Sequence, residues 1–220
     1  MMFKGIIEPW KSFFSRKNNI LVFILTVLFS ISYRSFFKEY LLLVESWEHN
    51  LGIFNDPFFL EDPLDLSIPI FIFTYGTILF FIIYHLKNPT KLMYLMQLAV
   101  MVDIFRVISL YFVRLDAPEM ISLNDPILNF LIYEPHPETD LYNQHDLFFS
   151  GHTANLFIIS YLYEKNYLRY FFFLITFCVA TFLVLQKVHY SIDVIFAPII
   201  SILILYIHKK IFIYLSSPNE

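Results

Sequence analysis

Long apolar stretches separated by short polar links organise this chain. Each stretch is close to the length that crosses a hydrocarbon layer of about 30 Å, and a backbone inside lipid must satisfy its own hydrogen bonds, which favours helices. The six stretches are residues 20–33, 67–86, 92–113, 148–163, 167–185 and 190–207. The pattern predicts an all-α polytopic membrane protein, a bundle of six transmembrane helices.

The segments outside these stretches divide the chain further. Residues 1–19 mix basic and aromatic residues, which is typical of an interfacial amphipathic helix. A basic region before an apolar core also occurs in signal peptides, but no small-residue cleavage site follows Ser32, which favours a retained first span. We therefore predict an amphipathic N-terminus, a membrane catalytic domain over 20–215 and a short tail over 216–220.

Composition supports the membrane assignment. Hydrophobic residues make up 58% of the chain and charged residues only 15%, more apolar than a soluble core requires, so a second soluble domain does not fit. The formal net charge of −4 gives no reason to expect a nucleic-acid partner. The single cysteine, Cys178, cannot form a disulfide within the chain. Membrane lipids are the partners that this composition favours.

Lysine and arginine in the links predict the orientation. On one side of the membrane fall Lys4, Lys11, Arg16, Lys17, Lys87, Lys91, Lys165, Arg169, Lys209 and Lys210. On the other side fall Arg34, Lys38, Arg114 and Lys187. We therefore expect both termini in the cytoplasm. The same alternation puts the two polar motifs described next on the opposite face, which would be periplasmic, extracellular or lumenal.

Two polar motifs open apolar stretches on that face. The first runs from Asp146 to Thr153 and contains Ser150, Gly151 and His152. The second is His189-Tyr190-Ser191-Ile192-Asp193. Residues four apart share one helical face, so His189 and Asp193 are placed to interact. Two histidines and one carboxylate at one membrane face predict an active site.

These residue types suit phosphoryl transfer. An imidazole can attack phosphorus and hold the group covalently, which divides one difficult step into two. Asp193 would orient His189 as this nucleophile. His152 would protonate the departing oxygen and later deprotonate the acceptor. A zinc site made of the same three side chains is chemically possible and is the competing interpretation.

Other residues could bind the phosphate oxygens. Ser150 and Gly151 begin a helix, whose N-terminal N–H groups favour an anion. Lys187 could add positive charge. Arg106 lies in the span 92–113 with Asp103 three residues before it, and charges there are costly unless paired or functional. We predict that Arg106 binds phosphate, with neutralisation by Asp103 as the alternative. His145 is expected to be solvated.

The motifs carry a family resemblance. Phe149-Ser-Gly-His-Thr153 and His189-Tyr-Ser-Ile-Asp-Val194 resemble the last two motifs of the sphingomyelin synthase family, a branch of the type 2 phosphatidic acid phosphatase superfamily. Asp146 stands where that family's motif also begins with an aspartate. The stretch Arg106-Val-Ile-Ser-Leu-Tyr111, with Leu115 and Pro118, resembles its arginine-bearing helix and following turn. The N-terminal part of the chain is unmatched.

This resemblance implies an enzyme that moves or hydrolyses a phosphate-containing lipid headgroup, without a metal or other cofactor. By motif position His189 is the nucleophile, Asp193 its orienting partner and His152 the acid and base. Asp146 and Tyr190 join the candidates for substrate binding. Three departures are visible. The Lys-x6-Arg-Pro phosphate cradle of the superfamily's soluble phosphatases is missing, as is their arginine several residues before the last histidine, and Asp116 replaces a proline of the turn.

The sequence therefore predicts a lipid phosphotransferase that moves a phospho-headgroup from a phospholipid to a lipid alcohol, such as ceramide or diacylglycerol. A lipid phosphate phosphatase with water as acceptor is the nearest alternative. A catalytically inactive lipid-binding membrane scaffold is a second. Transport is disfavoured because no paired discontinuous helices occur in matching halves.

Overall fold

The computed structural model describes residues 4–47, 53–118 and 145–216, and these residues form helices without strands. The helices are α1 (Lys4–Phe14), α2 (Lys17–Glu45), α3 (Ser67–Tyr84), α4 (Pro89–Phe112), α5 (Gly151–Leu162), α6 (Asn166–Leu185) and α7 (Ser191–Ser216). Residues 119–144, between the third and fourth predicted apolar stretches, lie outside the described residues. The all-helical prediction is confirmed for the described part of the chain.

Several of these helices can cross a membrane. Helices α3, α4 and α6, and residues Ser191–Ile211 of α7, are long and apolar enough to do so. Helix α1 and the first part of α2 would make a fifth span together, but they are bent by 95° at the break between them. These helices support a multi-pass membrane protein, with four or five candidate spans among the described residues instead of the six predicted.

Helix α5 accounts for part of this difference. The sequence predicts a span over 148–163, but the helix begins only at Gly151, where Ser150 caps it, and has 12 residues. At 1.5 Å per residue it is about 18 Å long, short of a hydrocarbon layer. Most of its side chains are buried, and it packs against α3, α4, α6 and α7. Its apolar sequence therefore reflects burial within the protein.

Helix α2 is longer than the sequence predicts. The expected first span ends near residue 33, yet one helix continues to Glu45. No proline or glycine interrupts this stretch. Two tyrosines attach it to α4: the hydroxyl of Tyr33 donates to the carbonyl of Asp103 at 2.7 Å, and that of Tyr40 to the carbonyl of Val107 at 2.8 Å. The end of α2 is thereby held beside the end of α4.

The positively charged links gather at the other end of the bundle from the two histidine motifs. The indole N–H of Trp10 in α1 donates to the carbonyl of Leu86, and Lys91 forms an ion pair with Glu164 at 3.3 Å. Arg169 donates twice to the carbonyl of Tyr163. The predicted separation of basic links from the motifs is present in the fold, and the cytoplasmic location of the basic end stays a prediction.

Candidate active site

The two motifs meet through their backbones. The N–H of Ser150 donates to the carbonyl of Asp193 at 3.2 Å, which joins the start of α5 to the first turn of α7. The Ser150 hydroxyl in turn accepts from the hydroxyl of Thr153 at 3.1 Å and caps α5. Residues 43 positions apart in the sequence, Ser150 and Asp193, thus fix one helix N-terminus against the other. The predicted orientation, which puts both motifs on one face of the membrane, likewise implies one shared site.

His189 and Asp193 lie in contact and are almost completely buried. Nδ1 of His189 is 3.5 Å from Oδ2 of Asp193, an ion-pair distance that is longer than a normal hydrogen bond. The same Oδ2 accepts from the N–H of Tyr190 at 2.9 Å, while Tyr190 O accepts from Asp193 N at 3.0 Å. These reciprocal bonds resemble a capping box at the start of α7. The second motif therefore fixes its own carboxylate beside its histidine.

Two atoms of this pair have unused hydrogen-bonding capacity. Nδ1 of His189 and Oδ1 of Asp193 are buried and have no hydrogen-bond partner among the described residues. Leaving buried polar atoms unpaired is costly, and functional sites are where such exceptions concentrate. Catalytic hydrogen bonds are often long without substrate and tighten when it binds. A small rotation of the imidazole would close the contact with Asp193.

His152 projects from the first turn of α5. It is partly exposed, and its ring lies 6.0 Å from that of Phe71, centroid to centroid, in an edge-on arrangement. Phe71 is a buried residue of α3. Helix α3 therefore supplies an apolar wall beside the candidate acid and base.

Arg106 lies across the N-terminus of α5. It forms an ion pair with Asp146, the carboxylate that begins the first motif. A Cβ atom placed on Gly151 would stand 2.5 Å from one terminal nitrogen of Arg106 and 2.9 Å from its Cζ, so the guanidinium occupies the space that a larger residue would fill. Its Nε is buried and has no hydrogen-bond partner among the described residues. Arg106, Gly151 and the α5 N-terminus together form a positively polarised corner.

Two further candidate residues, Lys187 and Tyr190, donate hydrogen bonds to loop carbonyls. Nζ of Lys187 donates to the carbonyl of Glu61 at 2.9 Å, and Lys187 itself has a φ of 58°, a left-handed conformation that is uncommon for lysine. This bond uses one of the three N–H donors of the Lys187 ammonium group, so a phosphate contact would be made by the others. The hydroxyl of Tyr190 donates to the carbonyl of Asp116 at 2.8 Å. Burial raises the pKa of this hydroxyl, so the tyrosine remains a neutral donor.

The segment that covers the second motif was not predicted from the sequence. Asp56 is buried, and its carboxylate accepts from the N–H of Ser191 at 2.6 Å and from that of Phe58 at 3.0 Å. The side chain of Gln186 accepts from the N–H of Leu66 at 3.0 Å. Asp56 is one of several acidic residues in its loop, and its place before a proline was the only local signal.

The expectation that His145 is solvated is wrong. Its side chain is 18% exposed and forms an ion pair with Glu45, the last residue of α2. The backbone N–H of His145 also donates to the Glu45 carboxylate at 2.9 Å. The partners are 100 positions apart, a distance over which spacing in the sequence carries no information.

A cavity of about 510 Å³ lies between α5, α6 and α7. Thr153 and Ser191, which belong to or adjoin the two motifs, contribute to its wall. Its other lining side chains are mainly apolar, among them Phe157, Phe173 and Phe177. Lipid tails are chemically suited to such a wall.

Comparison with known families gives one match. Residues 145–210 match the family model described as PAP2 superfamily C-terminal. The matched region contains both histidine motifs and most of α5 to α7, and it supports the PAP2 superfamily, whose members are phosphatases and phosphotransferases. No curated protein and no solved structure matches the chain significantly. The match suggests phosphatase or phosphotransferase activity on lipids and does not distinguish the sphingomyelin synthase-like branch.

Proposed function

We propose that the protein is a lipid phosphotransferase that moves a phospho-headgroup from a phospholipid to a lipid alcohol, such as ceramide or diacylglycerol, through a phosphohistidine on His189. The hydrogen bond between Ser150 N and Asp193 O carries this proposal, because it brings both histidine motifs to one place. The PAP2 superfamily match over both motifs agrees with the reaction class.

In the first step, Nε2 of His189 forms a bond to phosphorus and the bond from phosphorus to the diacylglycerol oxygen breaks. His152 gives a proton to that oxygen as it leaves. Asp193 faces the other ring nitrogen at 3.5 Å, holds the reactive tautomer and stabilises the positive charge that develops on the ring. In the second step, His152 takes the proton of the acceptor hydroxyl, whose oxygen displaces His189 from phosphorus.

The corner formed by Arg106, Gly151 and the α5 N-terminus would bind the phosphate oxygens. Backbone N–H groups at a helix N-terminus and a guanidinium both stabilise the charge that develops in the transition state. Asp146 holds Arg106 in place through their ion pair. The unpartnered Nε of Arg106 is a donor that a phosphate oxygen could satisfy. We assign supporting roles to Ser150, which caps the helix, and to Tyr190, which packs beside the pair.

The predicted topology would put this site on the non-cytoplasmic face of the membrane. The basic links lie at the opposite end of the bundle, which agrees with the rule that positively charged links face the cytoplasm. Lipid substrates would then be drawn from the leaflet on the site's own side. Their tails could occupy the apolar cavity beside Thr153 and Ser191.

A phosphatase is the second candidate, because the superfamily match includes enzymes that use water as the acceptor. Purified protein in liposomes that contain a headgroup-labelled phospholipid separates the two. With ceramide or diacylglycerol added, a transferase forms a new labelled phospholipid, whereas a phosphatase releases only soluble label. Undiminished turnover by His189→Ala would contradict both, and no turnover of any lipid by the native protein would favour the inactive scaffold.

A further inference from the structure

The residue that ends α2 is attached to the residue that precedes the first motif. The Glu45 carboxylate accepts the backbone N–H of His145 at 2.9 Å through one oxygen and forms an ion pair with the His145 ring through the other. Each side chain is 18% exposed, so solvent screens the pair only in part. The Glu45 carboxylate therefore holds both the backbone and the side chain of His145.

The position of Glu45 indicates that its carboxylate does not stabilise α2. A carboxylate at a helix C-terminus is unfavourable, because the helix dipole is negative there. Glu45 is the last residue of α2, and no basic residue lies in the last turn. The contact with His145 offsets this unfavourable placement. The tyrosines at positions 33 and 40 already attach α2 to α4, so helix docking does not depend on Glu45 alone.

A short series of contacts leads from Glu45 to the candidate phosphate site. His145 precedes Asp146 in the chain, and Asp146 pairs with Arg106. Arg106 in turn lies against Gly151 at the α5 N-terminus. If residue 145 shifts, the carboxylate that holds the guanidinium shifts with it.

We propose that Glu45 is a positioning residue for the phosphate site, acting on Arg106 through His145 and Asp146. The role rests on the proposed function, because it requires Arg106 to bind a phosphate group. Glu45 lies outside the region 145–210 that matches the PAP2 superfamily, so the chain's own N-terminal part completes the site. Glu45 thereby controls the affinity of the site for the phosphate of the lipid headgroup.

Three variants of the full chain test this proposal. Glu45→Ala removes both contacts, and Glu45→Gln keeps an oxygen that can accept the His145 N–H but loses the ion pair. Glu39→Gln is the matched control, because Glu39 is an exposed acidic residue of the same helix. We expect Glu45→Ala to raise the KM for phospholipid about tenfold with a smaller change in kcat, since a hydrogen bond to a charged group is lost. Glu45→Gln should recover part of this loss, and Glu39→Gln should match the native protein.

A double-variant cycle distinguishes positioning from general destabilisation. If Glu45 acts through Asp146, the KM effect of Glu45→Ala should largely disappear in an Asp146→Asn background. A general loss of stability would instead add to the effect of Asp146→Asn. Full additivity, or a KM for Glu45→Ala equal to that of Glu39→Gln, would overturn the proposal.

A binding measurement separates this proposal from the proposed function. Inorganic phosphate should raise the unfolding temperature of the native protein in detergent, and Glu45→Ala should need about tenfold more phosphate for the same increase. This result would support positioning even if no lipid were turned over. Lipid turnover together with equal phosphate dependence in native protein and Glu45→Ala would overturn positioning and leave the proposed function standing.

Discussion

The two histidine motifs are held in place by different kinds of interaction. Ion pairs from helices α2 and α4 hold the first: Glu45 of α2 pairs with His145, and Arg106 of α4 pairs with Asp146. Residues 53–66, which precede α3, hold the second through hydrogen bonds and ring packing. Their contacts are Asp56 to Ser191, Glu61 to Lys187, Leu66 to Gln186 and Phe59 to Tyr190.

The two motifs also differ in how far their side chains are exposed to solvent. The four ionisable side chains at the first motif are 13–18% exposed, while His189 and Asp193 of the second are 4% and 0% exposed. A partly exposed corner of charge suits binding and release of an anion. A buried histidine and carboxylate suit chemistry that needs a fixed geometry and little water. We therefore propose that the first motif, apart from His152, binds the phosphate and that the second motif carries out the covalent chemistry.

The largest effect is expected at Asp193. Asp193→Asn keeps the shape of the side chain but removes the charge that stabilises the His189 imidazolium, so turnover should fall roughly 10³-fold to 10⁴-fold. Labelled phospholipid turnover by purified protein measures this loss. Asp62→Asn, which changes an exposed loop carboxylate, is the control and should keep full activity. A loss below tenfold would remove Asp193 from the mechanism.

The first motif is tested at Gly151. Gly151→Ala places a methyl group where the Arg106 guanidinium lies, and the flexible arginine moves more easily than the helix. We expect KM to rise about tenfold to a hundredfold with a smaller fall in kcat, since phosphate binding is lost before the chemistry. Gly76→Ala is the matched control, because nothing lies within 4 Å of a Cβ there. A pure kcat effect would mean that the first motif does more than bind.

Asp56 tests how the second motif is held. Asp56→Ala removes the acceptor for the N–H of Ser191 at the start of α7, and loss of such a cap costs about 1 kcal/mol of unfolding free energy. Asp56→Asn retains an acceptor oxygen and should be close to native. Denaturant unfolding in detergent measures both. Native stability in Asp56→Ala would show that the carboxylate does not cap α7 in solution.

The smallest effect is expected at Tyr190. Its hydroxyl is engaged by the carbonyl of Asp116, so Tyr190→Phe should lower the unfolding free energy by about 1 kcal/mol and leave KM within a factor of about three. Burial raises the pKa of this hydroxyl, so the native protein should show no loss of activity from tyrosine ionisation between neutral pH and pH 9. A large rise in KM would instead restore Tyr190 as a phosphate ligand.

The sequence predicted contacts within a motif better than contacts between distant segments. The spacing of His189 and Asp193 predicted their contact, but the assumed shared helical face is wrong, because α7 begins at Ser191 and His189 lies in the bend before it. The Glu45 to His145 and Asp56 to Ser191 contacts join residues 100 and 135 positions apart, and only the packing of helices brings them together. Neither contact could be predicted from the sequence, because an acidic residue in a loop or at a helix end is usually solvated.

The span prediction failed for a related reason. A stretch of apolar residues predicts burial but does not say whether lipid or protein provides it. Helix α5 is apolar because neighbouring helices surround it, and Ser150 starts it three residues later than the hydrophobic pattern. For Lys187, the sequence did not predict the hydrogen bond from Nζ to a loop carbonyl, and its phosphate contact stays a prediction.

The central claim is that the two motifs form one site in which His189 carries the phosphoryl group. Rapid quenching of the native protein with headgroup-labelled phospholipid, followed by peptide mapping, tests it most directly. We predict acid-labile label on the peptide that contains His189, loss of that label when a lipid alcohol is added, and no label in His189→Ala. Turnover by the native protein at full rate with no label on His189, or unchanged turnover by His189→Ala, would contradict the account.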